Sequence, residues 1–418
     1  MREYWLTWFL FAITYAGLAI GKVPGLRMDR AGIALVGAAL MLVCGLLKFD
    51  DAVSTESVDY KTLFLLFGMM VVVGVLRLSG FFQLLTDRAL QRIRSPKGLL
   101  VATILLSGAL SAFLINDVVC VALTPLVLHL ARRMKFDPVP HLIALATAAN
   151  IGSAGTITGN PQNIYIGSHS GISYLRFAVR LLPVSALGLV LNYAVIALIY
   201  RNRLTAPSSS KPPDPRHEDG SPHSRAHARL QIKAVLVTAV TVVLFFCGLP
   251  LELVAMAAAA VLLMTRVQPA KIYRQIDWSL LVMFTGLFIV VHAFRIHIVA
   301  GWGIESWTWL LNRPVDLLSG VSAALSNLVS NVPAVLLLEP VAQAVPEPAR
   351  ETAWLALAMS STFAGNLTVL GSVANLIVVE SASRDGVQVS FGEYCKAGVP
   401  ITLLTLGLGI AWLQFVHY

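Results

Sequence analysis

The sequence predicts an all-α polytopic membrane protein: two inverted-topology repeats, each of five spans plus one re-entrant hairpin, with broken helices at the midplane. Three observations carry that expectation. The 418 residues are 57% hydrophobic and only 13% charged, with a mean hydropathy of +0.75, whereas soluble domains carry ~25% charged residues. Apolar runs near the ~20 residues needed to span a bilayer recur along the chain. Two of these runs are interrupted by the same unusual residues, Gly152–Asn163 (GSAGTITGNPQN) and Ala364–Asn375 (AGNLTVLGSVAN). At an offset of 212, Thr156 falls on Thr368, Gly159 on Gly371 and Asn163 on Asn375. Backbone that leaves the helix at membrane depth survives only inside protein or along a cavity, and a pair of such breaks points to a transporter's binding site.

In chain order, spans are expected near 4–20, 31–47 and 61–78. The first has one Arg and no small-residue cleavage signature, so it reads as a retained helix rather than a removed signal peptide. Residues 80–97 set Arg88, Arg92, Arg94 and Lys97 among Phe81, Leu84, Leu85 and Leu90, an amphipathic pattern suited to the interface. Two short apolar arms, 98–113 and 118–131, are joined by LINDVV. Arg94 and Lys97 precede them, and Arg132, Arg133 and Lys135 follow. Both ends therefore belong on one side, and the pair reads as a re-entrant hairpin, about 98–131. A broken span at 141–168 and a span at 177–200 complete the first repeat, 1–203. Residues 204–230 carry Pro, Ser, His and charge without periodic apolar residues, which reads as a disordered cytoplasmic linker. His217, His223 and His227 there read as solvated rather than metal-binding.

The series restarts in a second repeat, 231–418. Spans are expected near 231–247, 251–267 and 277–295, followed by a Trp-rich interfacial piece at 301–310. A hairpin at about 316–345 turns at SNLVSNVPA, and a broken span at about 352–380 and a last span at 395–416 follow. VDYKTLFLLFG (58–68) matches IDWSLLVMFTG (276–286) at offset 218, and the hairpins match at offset 215, with Asn116 on Asn331 and Pro125 on Pro340. Five crossings is an odd number, so the second repeat is expected to insert upside down. Placing the 21–30 loop inside gathers most Lys and Arg in the cytoplasm. It leaves the acidic 48–59 loop outside and makes both termini extracytoplasmic.

A hairpin that ends at mid-membrane leaves backbone groups unpaired, which is costly in lipid. Side-chain amides, hydroxyls or an ion can satisfy them. Helix ends there carry roughly half a charge, so two hairpins and two breaks at one depth offer anion and cation sites without a full charge. The candidate substrate- or ion-binding residues are Asn116, Asp117, Ser330 and Asn331 at the tips. Thr156, Thr158, Gly159, Asn160 and Asn163 belong to the first break, and Asn366, Thr368, Gly371, Ser372 and Asn375 to the second. A sodium site would use Asn116, Asn331 and the backbone of Gly152–Thr156 and Gly365–Thr368. Small and hydroxyl residues also mediate helix packing in membranes, but a clustered set repeated in both halves favours a site. Asp117 is the sharpest single residue, because an acid far from either membrane face marks function; it also suits a helix N-terminus. Glu339, two turns past Asn331, is expected to near the outer interface. His129, His141, His292 and His297 are expected as packing residues, and Cys120 as a small apolar one.

Several classes are set aside. Cys44, Cys120, Cys247 and Cys395 are scattered singly, without metal or disulfide spacing. The net charge of +9 reflects topology rather than a nucleic-acid partner. No nucleotide-binding loop, arginine ladder, HExxH or nucleophile–base arrangement is present, so neither a cofactor nor an enzymatic activity is expected.

With ANIGSAGTITGNPQNIYIG and TFAGNLTVLGSVANLIVVE, the chain resembles the ion transporter superfamily, which includes citrate-transporter-like permeases, arsenite permeases and NhaD-type sodium/proton antiporters. The likeness covers nearly the whole chain and is nearest to bacterial anion permeases of the arsenite-permease/NhaD-like branch. It implies a bacterial inner-membrane homodimer embedded in lipid, elevator-type motion of the hairpin-bearing part, and coupling to sodium or protons. Dicarboxylate symporters of the superfamily carry Ser-Asn-Thr at both tips; here the tips read Ile115-Asn116-Asp117 and Ser330-Asn331-Val332. The expected function is secondary transport of a small inorganic or organic anion. The alternative is arsenite/antimonite efflux or sodium/proton exchange through Asp117. A non-transporting membrane receptor or scaffold is the reading from a different class, and would tolerate Asn116→Ala with Asn331→Ala.

Overall fold

The computed structural model describes residues 1–21, 28–93, 95–204, 225–265, 267–304, 307 and 313–415, and these form helices with no strand among them. The first half runs α1 (Arg2–Ile20), α2 (Arg30–Val43), α3 (Phe49–Ala52), α4 (Tyr60–Leu78), α5 (Phe81–Arg92), α6 (Pro96–Phe113), α7 (Asn116–Arg133), α8 (Pro138–Ser153), α9 (Pro161–His169) and α10 (Tyr174–Ile199). The second runs α11 (Arg225–Phe246), α12 (Leu251–Leu263), α13 (Pro269–Tyr273), α14 (Trp278–His297), α15 (Pro314–Val329), α16 (Asn331–Ala344), α17 (Ala349–Ala364), α18 (Val373–Arg384) and α19 (Phe391–Phe415). The order recurs: two helices, a short one, a third, a helical hairpin, a broken helix and a long last helix. Among the described residues, 7 helices are long and apolar enough to cross a membrane.

Local chemistry sets many of the starts. Asp59 accepts from the Thr62 amide and Asp277 from that of Leu280, capping α4 and α14 at matching positions of the two halves. Proline occupies the first turn of α6, α8, α9 and α15, where its missing N–H leaves nothing unpaired.

Two expected spans are shorter than their hydropathy suggests. The 31–47 run stops at Val43, just before Gly45 turns left-handed at φ 73. The 251–267 run stops at Leu263, where Met264 leaves helical geometry with ψ 54. At 1.5 Å per residue, 14 residues reach only ~21 Å, against a hydrocarbon core of ~30 Å. Both short helices lie against longer ones of the opposite half, α2 on α14 and α12 on α4. A Cβ on Gly286 would come 2.6 Å from the Ala34 backbone, and one on Gly68 would come 2.7 Å from that of Ala255. Gly286→Ala is therefore expected to destabilise by overpacking, by ~1–3 kcal/mol. Gly320→Ala, with nothing within 4 Å of its Cβ position, is expected to be neutral or stabilising. Thermal midpoints of the purified variants in detergent would show the contrast.

The helices form two clusters. α1, α2, α4, α11, α12 and α14 pack together, while α6 to α10 interleave with α15 to α19 through α6 on α8, α15 on α17 and α10 on α19. Polar contacts between the clusters include the Tyr15 hydroxyl donating to the Pro333 carbonyl at 3.2 Å and an ion pair between Arg295 and Glu339.

Residues 205–224 of the expected linker lie outside the described residues, as do 22–27 of the first loop, Arg94, and 305, 306 and 308–310 of the Trp-rich piece. The linker's expected end at 230 is corrected, since α11 already begins at Arg225. Ala, Arg and Leu dominate RAHARL and favour helix.

Candidate functional site

Each break is a single 3-10 turn between two helical limbs, Ile157–Gly159 between α8 and α9 and Val369–Gly371 between α17 and α18. The second limb folds so closely against the first that a Cβ on Gly159 would lie 2.1 Å from the Ser153 carbonyl oxygen, and one on Gly371 2.8 Å from that of Gly365. The carbonyls freed by the turn need donors, and one amide supplies them at the same place in each half. Asn163 Nδ2 donates to Ser153 and Thr156 at 3.2 and 3.0 Å, and Asn375 Nδ2 to Gly365 and Thr368 at 2.7 and 2.9 Å. These are the same two bonds at the offset of 212. The second limbs are capped alike, with Asn160 Oδ1 accepting from the Asn163 amide at 2.9 Å and Ser372 Oγ from that of Ala374 at 3.3 Å.

The two breaks meet at Asn150, one turn before the end of α8. Its Oδ1 accepts from Asn116 Nδ2 at 3.0 Å and from Ser372 Oγ at 3.1 Å. Its Nδ2 donates to Asn366 Oδ1 at 2.9 Å and to Asn375 Oδ1 at 3.0 Å. One buried amide with every bonding position filled thus joins the first hairpin tip to both breaks. On the other side, Asn160 Nδ2 donates to Thr362 Oγ1 at 3.1 Å, and Gln162 Nε2 donates to the same hydroxyl at 3.1 Å. Thr362 is the repeat partner of Asn150, and Ser372 that of Asn160, so the links between breaks are one contact made twice.

Other expected residues fall around this network. The Thr156 hydroxyl donates to the Ala112 carbonyl at the end of α6, and Thr158 Oγ1 bonds the Tyr174 hydroxyl at 2.9 Å. Ser330, at the second tip, has φ 79 and ψ 160, a conformation costing ~1–3 kcal/mol for a residue with a side chain. Asn331 follows it, with its Nδ2 3.4 Å from where a Cβ on Gly365 would be. Asp117 is not part of the amide network; it lies half-buried in the first turn of α7.

The Oδ1 atoms of Asn116, Asn163, Asn327 and Asn331 are buried without a hydrogen-bond partner in the described structure. Orphaned oxygens of this kind suit a hard cation or a hydroxyl donor. The backbone part of the expected sodium site is more crowded, because the carbonyls of Ser153, Thr156, Gly365 and Thr368 already hold the amides of Asn163 and Asn375. The two breaks also differ in exposure. Residues 152–163 are all buried, whereas Thr368 and Asn331 are half-buried and Leu370 is exposed.

Sequence reasoning missed Asn150, Gln162 and Thr362, although an amide inside the apolar run LIALATAANIGS was a usable signal for the first. Glu339 is buried, accepting from the Tyr165 hydroxyl at 2.8 Å and from Arg295 Nη1 at 3.1 Å, partners that sequence reasoning did not give it. Depth along a helix does not reveal which side chains the neighbouring helices bring.

The family model described as citrate transporter matches residues 8–364. The chain belongs to that family. Its curated relatives include the silicon efflux transporter LSI3 of Oryza sativa subsp. japonica, 32% identical over 96% of this chain and 95% of the relative. The putative transporter arsB of Dictyostelium discoideum is 25% identical over 92% of this chain and 87% of its own. Among solved structures, the Alcanivorax borkumensis YdaH transporter superposes with a TM-score of 0.58, covering 99% of this chain and 96% of that one at 14% identity, a likeness of fold. This citrate transporter family member is a multi-pass membrane transporter.

Proposed function

We propose that the protein is a secondary active transporter carrying a small, oxygen-rich solute of low charge by alternating access. In this reading the cluster holding both hairpins moves, elevator-fashion, against the cluster of α1, α2, α4, α11, α12 and α14. Sodium or a proton is the coupling ion, and the orphaned oxygens of Asn116 and Asn331 would hold sodium. The two repeats insert in opposite senses in a bacterial inner membrane, with both termini outside the cytoplasm, and the chain forms a homodimer.

The observation that carries the reading is the uncharged network around Asn150. Amides and hydroxyls fill it, and among the described residues no Lys, Arg or His takes part. A di- or tricarboxylate would bring two or three charges to groups that offer only hydrogen bonds and helix ends worth about half a charge each, which does not offset the loss of hydration. A hydroxylated oxyacid, neutral near pH 7, can donate to the orphaned oxygens and accept from the amides. That favours arsenite over citrate, and the relative named as a silicon efflux transporter supports the same class of neutral oxyacid.

Full-length protein in proteoliposomes, given arsenite, silicic acid or citrate under sodium or pH gradients, provides the test. Arsenite or silicic acid flux at least about tenfold above protein-free vesicles is expected, with a large loss in Asn116→Ala combined with Asn331→Ala. Citrate flux without either oxyacid would show the reading of the network to be wrong.

A further inference from the structure

The ion pair between Arg295 and Glu339 crosses the boundary between the two helix clusters. Glu339 lies on α16 and its second partner, Tyr165, on α9, both in the hairpin-bearing cluster; Arg295 lies on α14 in the other. The partners differ in exposure, with side-chain values of 2% for Glu339 and 41% for Arg295. Movement of one cluster against the other separates them. Arg295 would then retain water, whereas Glu339 would become an uncompensated buried carboxylate, the costly outcome of breaking such a pair.

We infer that Glu339 binds the coupling proton, which neutralises it when Arg295 leaves and is released when the pair re-forms. The inference rests on the moving-cluster reading above and deepens it by naming the coupling ion and its site. The step is the simple uptake of one proton by the carboxylate. The resulting acid and the Tyr165 hydroxyl remain paired because both travel together. A polar cavity with about 30 Å³ of space for water reaches Tyr165 and Arg295, the two partners of Glu339, and is bordered also by Glu56, Asp59, His169 and His292. That is room for about two waters, at roughly 10–15 Å³ each.

The other charged groups around Glu339 have their own partners or act on the same boundary. His169 on α9 lies 3.5 Å from Asp59, the cap of α4, and forms a second bridge between clusters that a proton on His169 would tighten. His292 on α14 lines the same cavity as Arg295 and Glu56. On α17, Arg350 pairs with Glu347 and Glu351 with Arg176, and Asp316 on α15 pairs with Arg313. Among the ion pairs of the described residues, Glu339 combines near-complete burial with a partner left behind by the motion.

The test is a distance measurement on full-length protein in lipid vesicles. Spin labels are placed at Leu35→Cys on α2 and Val321→Cys on α15, both exposed positions, after the native cysteines are replaced by alanine. With Glu339 present, a second distance should grow about tenfold in population between about pH 8 and about pH 5.5. Glu339→Gln should show that distance at both pH values, with less than about a twofold change. Glu339→Asp should restore the pH response, and His169→Gln should keep it. A pH response in Glu339→Gln equal to that of the parent overturns the inference, as does a second distance insensitive to pH in every variant. One fixed distance in all variants at all pH values overturns the moving-cluster reading beneath it.

Discussion

Asn150→Ala is expected to lower solute flux by about a hundredfold or more, and to lower the thermal midpoint of the purified protein as well. The substitution removes four hydrogen bonds and strands buried groups on Asn116, Ser372, Asn366 and Asn375. Each stranded buried group costs ~1–3 kcal/mol. Asn150→Asp provides the finer test. It keeps the size and the two accepting positions but cannot donate to Asn366 or Asn375, and it adds a charge to an uncharged network. Flux in proteoliposomes should fall nearly as far as in the alanine variant, with a smaller loss of stability. Flux in Asn150→Ala within about twofold of the parent would mean that the network only holds the fold and takes no part in transport.

The glycines that close the breaks should give the largest losses of stability. A Cβ on Gly152 would lie 2.1 Å from the Gly108 carbonyl oxygen, and one on Gly159 2.1 Å from that of Ser153. Both obstructions are backbone, so no side chain can rotate away, and α6 and α8 or the limbs of the break must separate. Gly152→Ala and Gly159→Ala are each expected to cost at or above the upper end of the ~1–3 kcal/mol typical of overpacking. In Gly371→Ala the nearest backbone atom is at 2.8 Å, and the loss should be smaller. Expression level and thermal midpoint should rank the three variants in that order. Equal tolerance of all three would show that the turns can relax, contrary to the tight seat described above.

Much of the fold was legible because lipid narrows the choices. Backbone in the hydrocarbon must be helical or sheltered, so the hydropathy pattern pointed to an all-helical chain, and the two Gly/Asn-rich stretches to its interruptions at 157–159 and 369–371. The amides at 163 and 375 were legible for a related reason, since the same freed carbonyls call for the same donor in each half. Asn150 was harder to see because its repeat partner is Thr362, and a search for identical residues passes over it. The lengths of α2 and α12 escaped because hydropathy ignores the turns at Gly45 and Met264. Glu339 escaped because its environment comes from Tyr165 and Arg295, far away in sequence. Asp117 attracted attention by its charge alone, yet Asn116 beside it makes the bond to Asn150.

The doubled contact between the breaks also bears on how the two halves have diverged. In both copies the first half contributes the amide, Asn150 or Asn160, and the second half contributes the hydroxyl, Ser372 or Thr362. Two copies of the first half would set amide against amide, and two copies of the second would set hydroxyl against hydroxyl. The sequence repeat points to an ancestral duplication, and the two halves now supply different groups to the same contact.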